Sequence, residues 1–133
     1  MASEQHCEVR VTRRYTAAPG EVWAALTDHD SLGRWLARVV DIELAAGGAF
    51  VLALPGEGGQ IDARVRAIDP ERVLELDWSH AGEPRSVVRF ELAPDGEGTL
   101  LVLDHHRIDQ PVGMRYIQRW TRAIARLDRE LAA

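Results

Sequence analysis

Between a strand-like opening and a long train of further strand-like segments, the chain inserts a stretch of helical character, Ala17–Leu36. Pro19 suits a first helical turn, where its missing N–H leaves no bond unmade. Val22, Trp23 and Leu26 then form one apolar stripe. The pattern breaks at Thr27-Asp28, and Leu32, Trp35 and Leu36 edge a second short helix, for which Asp28 or Asp30 can serve as N-cap. Two short helices after one strand constrain the fold strongly, because everything that follows must be arranged around them.

The opening strand is Cys7–Tyr15, with Cys7, Val9, Val11 and Tyr15 on one face and Glu8, Arg10, Thr12 and Arg14 on the other. Arg13 falls on the apolar face and either snorkels outward or points a charge inward. Beyond the helical pair, the alternation predicts strands over 39–44, 49–54, 60–68, 73–80, 86–92 and 99–108. Turn signals separate them: Ala45-Ala46-Gly47-Gly48, Pro55–Gly59, Asp69-Pro70-Glu71-Arg72, Ala81–Pro84 and Pro94–Gly98. Short turns between successive strands favour an antiparallel meander.

The last element, 112–131, reads as a long amphipathic helix. Its apolar stripe is read through Met114, Ile117, Thr121, Ile124, Leu127 or Asp128, and Leu131, with Arg115, Arg119, Arg122, Arg126 and Arg129 on a solvated far side. A sheet with one apolar face must cover it, and only this helix is long enough. The predicted class is α+β: a curved antiparallel sheet of about seven strands wrapped around a C-terminal helix. The whole of 1–133 is read as one domain, with its core in 7–131. The space between such a sheet and its helix is a small-molecule site.

Composition narrows the function. A net charge of −5 argues against nucleic-acid binding. All sixteen basic residues are Arg, and Asn is absent, which reads as a GC-rich bacterial codon bias. The lone Cys7 cannot form an intrachain disulfide and is read as a buried, inert thiol. No apolar run reaches the length of a membrane span, and the first six residues lack the parts of a signal peptide, so a cytoplasmic location is expected.

With the elements in this order, the sequence resembles a known family. Ala18-Pro19-x-x-Val22-Trp23-x-Ala25-x-Thr27-Asp28 followed by Leu32-x-x-Trp35 is similar to the helical pair of the activator of heat-shock-protein-90 ATPase-like family, within the START-like or SRPBCC superfamily. Gly47-Gly48, the turn Asp69-Pro70-Glu71-Arg72-Val73-Leu74, Trp78, the strand Gly98-Thr99-x-Leu101-x-Leu103-x-His105 and Trp120 with Leu127 and Leu131 continue the resemblance through residue 131. It implies a helix-grip fold with a ligand cavity. Two positions depart from the family's habit: Arg119 stands where Gly is common, and Leu36 where a second Trp is frequent. Both lie near the cavity in the family.

Within that frame, Trp35, Leu52, Trp78, Phe90, Leu103, His105, Ile117, Trp120 and Thr121 are the expected ligand-binding residues, with His105 and Thr121 as polar groups. Trp23 is read as packing. His105 is in phase with Leu101 and Leu103 and points inward, while its neighbour His106 points outward; His105 is the one weak candidate for an acid or base. The His residues lack metal-site spacing, Glu75 and Asp77 read as surface acids, and no nucleophile elbow, phosphate loop or dinucleotide fingerprint is present. No cofactor and no metal are expected. The leading expectation is a non-catalytic module, monomer or homodimer, that binds a small hydrophobic or aromatic molecule. A polyketide cyclase or aromatase-like enzyme using the same cavity is the alternative, and a chaperone regulator or other protein-interaction module the second.

Overall fold

The computed structural model describes residues 6–56, 58–80 and 82–132. The N-terminal stretch Met1–Gln5, and Glu57 and Ala81 within two of the predicted turns, lie outside the described residues. In chain order the elements are β1 (His6–Tyr15), α1 (Pro19–Thr27), α2 (His29–Trp35), β2 (Arg38–Ile42), β3 (Ala49–Ala53), β4 (Gln60–Asp69), β5 (Val73–Trp78), β6 (Ser86–Asp95), β7 (Gly98–Asp109) and α3 (Gln110–Leu131). The strands form one seven-stranded sheet in the order β1-β7-β6-β5-β4-β3-β2, and every pair is antiparallel. This is the α+β helix-grip arrangement that the resemblance implies.

Tight turns make the meander. In the β4–β5 turn, Arg72 N–H donates to the Asp69 carbonyl at 2.9 Å, and Glu71 takes φ 65°. Between β2 and β3, a side chain on Gly48 would collide with the Glu43 carbonyl, so the chain passes there only without a Cβ. Register shifts at Cys7/Val9, Val39/Asp41 and Val65/Ala67 mark bulges. Each bulge bends its strand and raises the local twist, which curls the sheet toward α3.

Between α1 and α2 the chain turns at Asp28, whose carboxylate accepts from Ser31 N–H at 3.1 Å. This contact holds the Asp28 carboxyl below the usual carboxylate range. Trp35 Nε1–H donates to the Ala25 carbonyl at 2.7 Å and ties the two helices together.

The helix α3 lies along β1, fastened near both ends. Cys7 Sγ fills the space beside Gly113, where a Cβ could not fit. Fifteen residues further on, Tyr15 Oη–H donates to Asp128 Oδ1 at 2.7 Å, and Arg13 reaches Asp128 Oδ2 at 3.5 Å, so Arg13 turns its charge to the helix rather than to the core. The spans match: eight strand steps cover about 26 Å and fifteen helical steps about 22 Å.

The buried face of α3 differs from the sequence expectation. Val112, Tyr116, Trp120, Ala123, Ile124 and Leu127 are buried, whereas Met114 and Ile117 are 69% and 47% exposed. The Tyr116–Trp120 pair sets the phase. Two large aromatic rings one turn apart bury more apolar area than Met114 and Ile117 offer, so the helix rotates to put them inside.

A second difference lies in β7. Leu101, Leu103 and His105 point inward as expected, but Arg107 adopts φ 59°, and Ile108 rather than Arg107 continues the buried face. The core joins the inner faces of β3–β7 to α3 and the helical pair. Each fully buried Leu or Phe in it contributes roughly 1.5–3 kcal/mol.

Candidate functional site

Where α3 leaves β1, it borders an open cavity of about 680 Å³. Its walls come from α2 and the start of β2, from the β3–β4 turn with Ile61, from Trp78 on β5 and from one flank of α3. Three of the expected ligand-binding residues line it, Trp35, Trp78 and Trp120.

Behind them stands a chain of edge-to-face and tilted rings. Trp35 meets Phe90 at 6.3 Å, Phe90 meets Trp120 at 6.1 Å and Trp120 meets Trp78 at 5.8 Å. His105 packs against Trp78 at 5.9 Å and Tyr116 at 4.3 Å. Such pairs add about 0.5–1.5 kcal/mol each beyond area burial.

The other expected residues are not on the cavity surface. Leu52, Phe90, Leu103 and His105 are fully or almost fully buried and back the wall without lining it. Ile117 and Thr121 are exposed on the far flank of α3, and the Thr121 hydroxyl donates to its own helix at the Ile117 carbonyl, 2.7 Å away. Their misplacement has the same cause as the misread stripe. Trp23 is half-buried against the core, away from the cavity.

Sequence reading missed Tyr116, Leu54 and Ile61 in the lining, and assigned Arg119, Arg122 and Arg126 to solvent. The i,i+4 spacing of Tyr116 and Trp120 was the available signal for the first. No local signal marks Leu54 or Ile61, because they reach the cavity only through the β3–β4 hairpin.

The indole N–H groups and His105 in the wall are matched in pairs. Trp120 Nε1–H donates to His105 Nδ1 at 2.9 Å. An indole N–H can only donate, so Nδ1 must carry the lone pair and Nε2 the proton. His105 Nε2–H therefore donates to Ser86 Oγ, 2.7 Å away. Burial pushes the His105 imidazole down to about 3, with a smaller contribution from the nearby His106, so the ring is neutral at physiological pH and its lone pair is engaged. Ser86 itself was not singled out in the sequence.

A second chain runs from Trp78 Nε1–H to Tyr116 Oη at 3.1 Å and from Tyr116 Oη–H to Glu83 Oε1 at 2.5 Å. Burial, followed by the Glu83 contact, pushes the Tyr116 phenol up. Glu83, 7% exposed, is the hub of the remaining charges. His80 Nδ1 lies 3.2 Å from Glu83 Oε2, with Arg119 at 3.7 Å and Arg115 at 3.9 Å. His80 Nε2 donates to the Gly58 carbonyl at 2.7 Å, which pins the β3–β4 turn. His80 thus turns to Glu83 and does not reach across to His105.

The outer sheet face carries the surface acids. Glu75 and Asp77 both pair with Arg66, at 3.0 and 3.1 Å, and Asp104 pairs with Arg10. They are remote from the cavity lining.

The fold recurs in known structures. The crystal structure of CalU16 from Micromonospora echinospora matches with a TM-score of 0.79 and 30% identity over 91% of this chain and 71% of that one. DynU16, described as a protein in the dynemicin biosynthetic locus, matches with a TM-score of 0.81 and 27% identity over 95% of this chain. The present chain spans about half of DynU16, 47% of its length. Protein MLL2253 from Mesorhizobium loti matches with a TM-score of 0.74 and 30% identity over 92% of this chain and 98% of that one. Among curated proteins none matches in sequence. The model of the activator of Hsp90 ATPase homolog 1-like proteins covers residues 16–132, the helical pair, the meander and the closing helix together, and the chain belongs to that family.

Proposed function

We propose that residues 7–131 form a single ligand-binding domain whose cavity takes a small hydrophobic or aromatic molecule without catalysing a reaction on it. One observation carries this reading. Three tryptophans, Trp35, Trp78 and Trp120, border the cavity although almost wholly buried, and the N–H groups of all three are spent on protein acceptors. A wall with its polar tips satisfied favours apolar contact. The same pairing argues against His105 as an acid or base, because its lone pair already accepts from Trp120. A cytoplasmic location belongs to this proposal. Among the described residues no helix is long and apolar enough to cross a membrane.

A thermal-shift panel of fatty acids, steroids and aromatic polyketides tests the reading. A ligand that binds only the native state at a hundred times its dissociation constant adds about 2.7 kcal/mol, which raises the melting temperature by several degrees. A flat panel, with tryptophan emission unchanged throughout, would defeat it.

An enzyme of the polyketide cyclase or aromatase type is the second reading, favoured by the likeness to DynU16. In that case the cavity would act by holding a reactive chain folded. Product formation from a poly-β-ketone substrate, unaffected by His105→Gln, is its expected sign. Absence of any product beyond the spontaneous background excludes it.

A further inference from the structure

We propose that the occupant is an amphipathic acid, with its apolar or aromatic body against Trp35, Trp78 and Trp120 and its carboxylate or other acidic group at the cavity mouth, where Arg38 and Arg122 receive it beside Arg119. The proposal rests on the ligand-binding reading above and names the chemical class of the ligand.

Charge segregation is the first ground. The lining contains Arg34, Arg38, Arg119, Arg122 and Arg126, and among the described residues no Asp or Glu. The chain as a whole has 21 acidic residues against 16 basic ones, so the charge of the described part of the mouth departs from the chain's average. Arg119, Arg122 and Arg126 follow i, i+3 and i+7 along α3, which sets them on one ridge beside the wall.

The second ground is how the arginines are paired. Arg34 is bound by Glu130 at 2.7 Å, and Asp30 shares with Gly33, Arg34 and Arg38 a second depression that adjoins the mouth. Arg126 Nε–H donates to the Trp35 carbonyl at 3.1 Å, a neutral acceptor that leaves the charge uncompensated. Arg119 lies 3.7 Å from Glu83 and 5.2 Å from the Tyr116 ring centre, yet its Nη1 is buried without a hydrogen-bond partner. Arg38 and Arg122 make no ion pair among the described residues. Like charges along one helix ridge repel, and the adjoining aromatic wall lowers the local dielectric, which strengthens any attraction to an anion. The guanidinium fork matches a carboxylate in two parallel hydrogen bonds. A neutral apolar ligand would leave this mouth unanswered.

Two fluorescent probes with the same aromatic body separate the claims: neutral phenylnaphthylamine and anionic anilinonaphthalene sulfonate, each titrated into the native protein and then displaced by dodecanoate or by dodecanol. The sulfonate is expected to bind about tenfold tighter than the amine, and dodecanoate to displace it at about tenfold lower concentration than dodecanol. Arg38→Gln combined with Arg122→Gln should erase both differences while leaving the amine's affinity unchanged. Both side chains are exposed, so the fold is not at stake. Equal binding of the two probes, or a preference that survives the double substitution, overturns the acid while the apolar cavity stands. Failure of both probes to bind overturns the cavity reading and the acid with it.

Discussion

The helix α3 meets the sheet in two ways. Along β1 it is closed down: Cys7 against Gly113 near one end and Tyr15 against Asp128 near the other. Toward β3, β4 and β5 it stands off, and the gap is walled by Trp35, Trp78 and Trp120 and rimmed by arginine. The closed side is matched in shape and in charge. On the open side the tryptophan N–H groups and His105 are matched, while Arg38 and Arg122 make no ion pair among the described residues. Stability is therefore expected mainly from the closed side, and the proposed recognition from the open side.

The largest expected contrast comes from truncation. Leu127→Ala, at a fully buried position beside the Tyr15–Asp128 fastening, should cost about 2–5 kcal/mol, against about 1 kcal/mol for Leu54→Ala, which is half-buried in the cavity wall. Urea unfolding of both variants reads the difference, and equal costs would break the division of labour.

The inner chain through His105 gives a pH test. The native ring stays neutral down to about 3, against 6.5 for an ordinary His. Between these values the unfolded chain holds a proton that the native protein lacks, so stability rises with pH and is lost as pH falls through this window. The slope approaches about 1.4 kcal/mol per pH unit for one proton. Comparing wild type with His105→Gln between pH 6.5 and 5 isolates this group, because Asp28, Glu75 and Glu130, all lowered by their partners, titrate below it. Parallel pH profiles would show that His105 is protonated or solvated in the native state.

The smallest effect is a gain. Gly33 sits in α2 at the cavity edge, and a Cβ there meets nothing within 4 Å. Gly33→Ala should add about 0.5–1 kcal/mol of stability, visible as a higher urea midpoint at unchanged slope. A loss would mean that the open side is tighter than its geometry suggests.

Much of the frame was legible in the chain. Alternation fixed the strands, Pro19 and Asp28 marked the helical pair, and the inward phase of His105 followed from Leu101 and Leu103. Legibility failed where tertiary packing chose between local options. The α3 stripe could be drawn through Met114 and Ile117 or through Tyr116 and Trp120, and only the aromatic wall opposite decides. Alternation beyond His105 fails because Arg107 takes a left-handed backbone that no pattern of side chains announces. The arginine rim was visible as a ridge on α3, but whether it faced water or a cavity depended on the distant hairpin at Leu54. Ser86 carried no signal at all, since its role exists only opposite His105.

The relay from Trp120 through His105 to Ser86 has a further consequence, for descent. Its inner members, His105 and Ser86, stand behind the cavity lining and satisfy the Trp120 N–H from there. Lineages that inherit it are free to exchange Arg38, Arg122 or the hairpin tip without reopening the architecture. Under the ligand-binding proposal, preference can change while the scaffold stays, and a shared fold is a poor guide to a shared ligand.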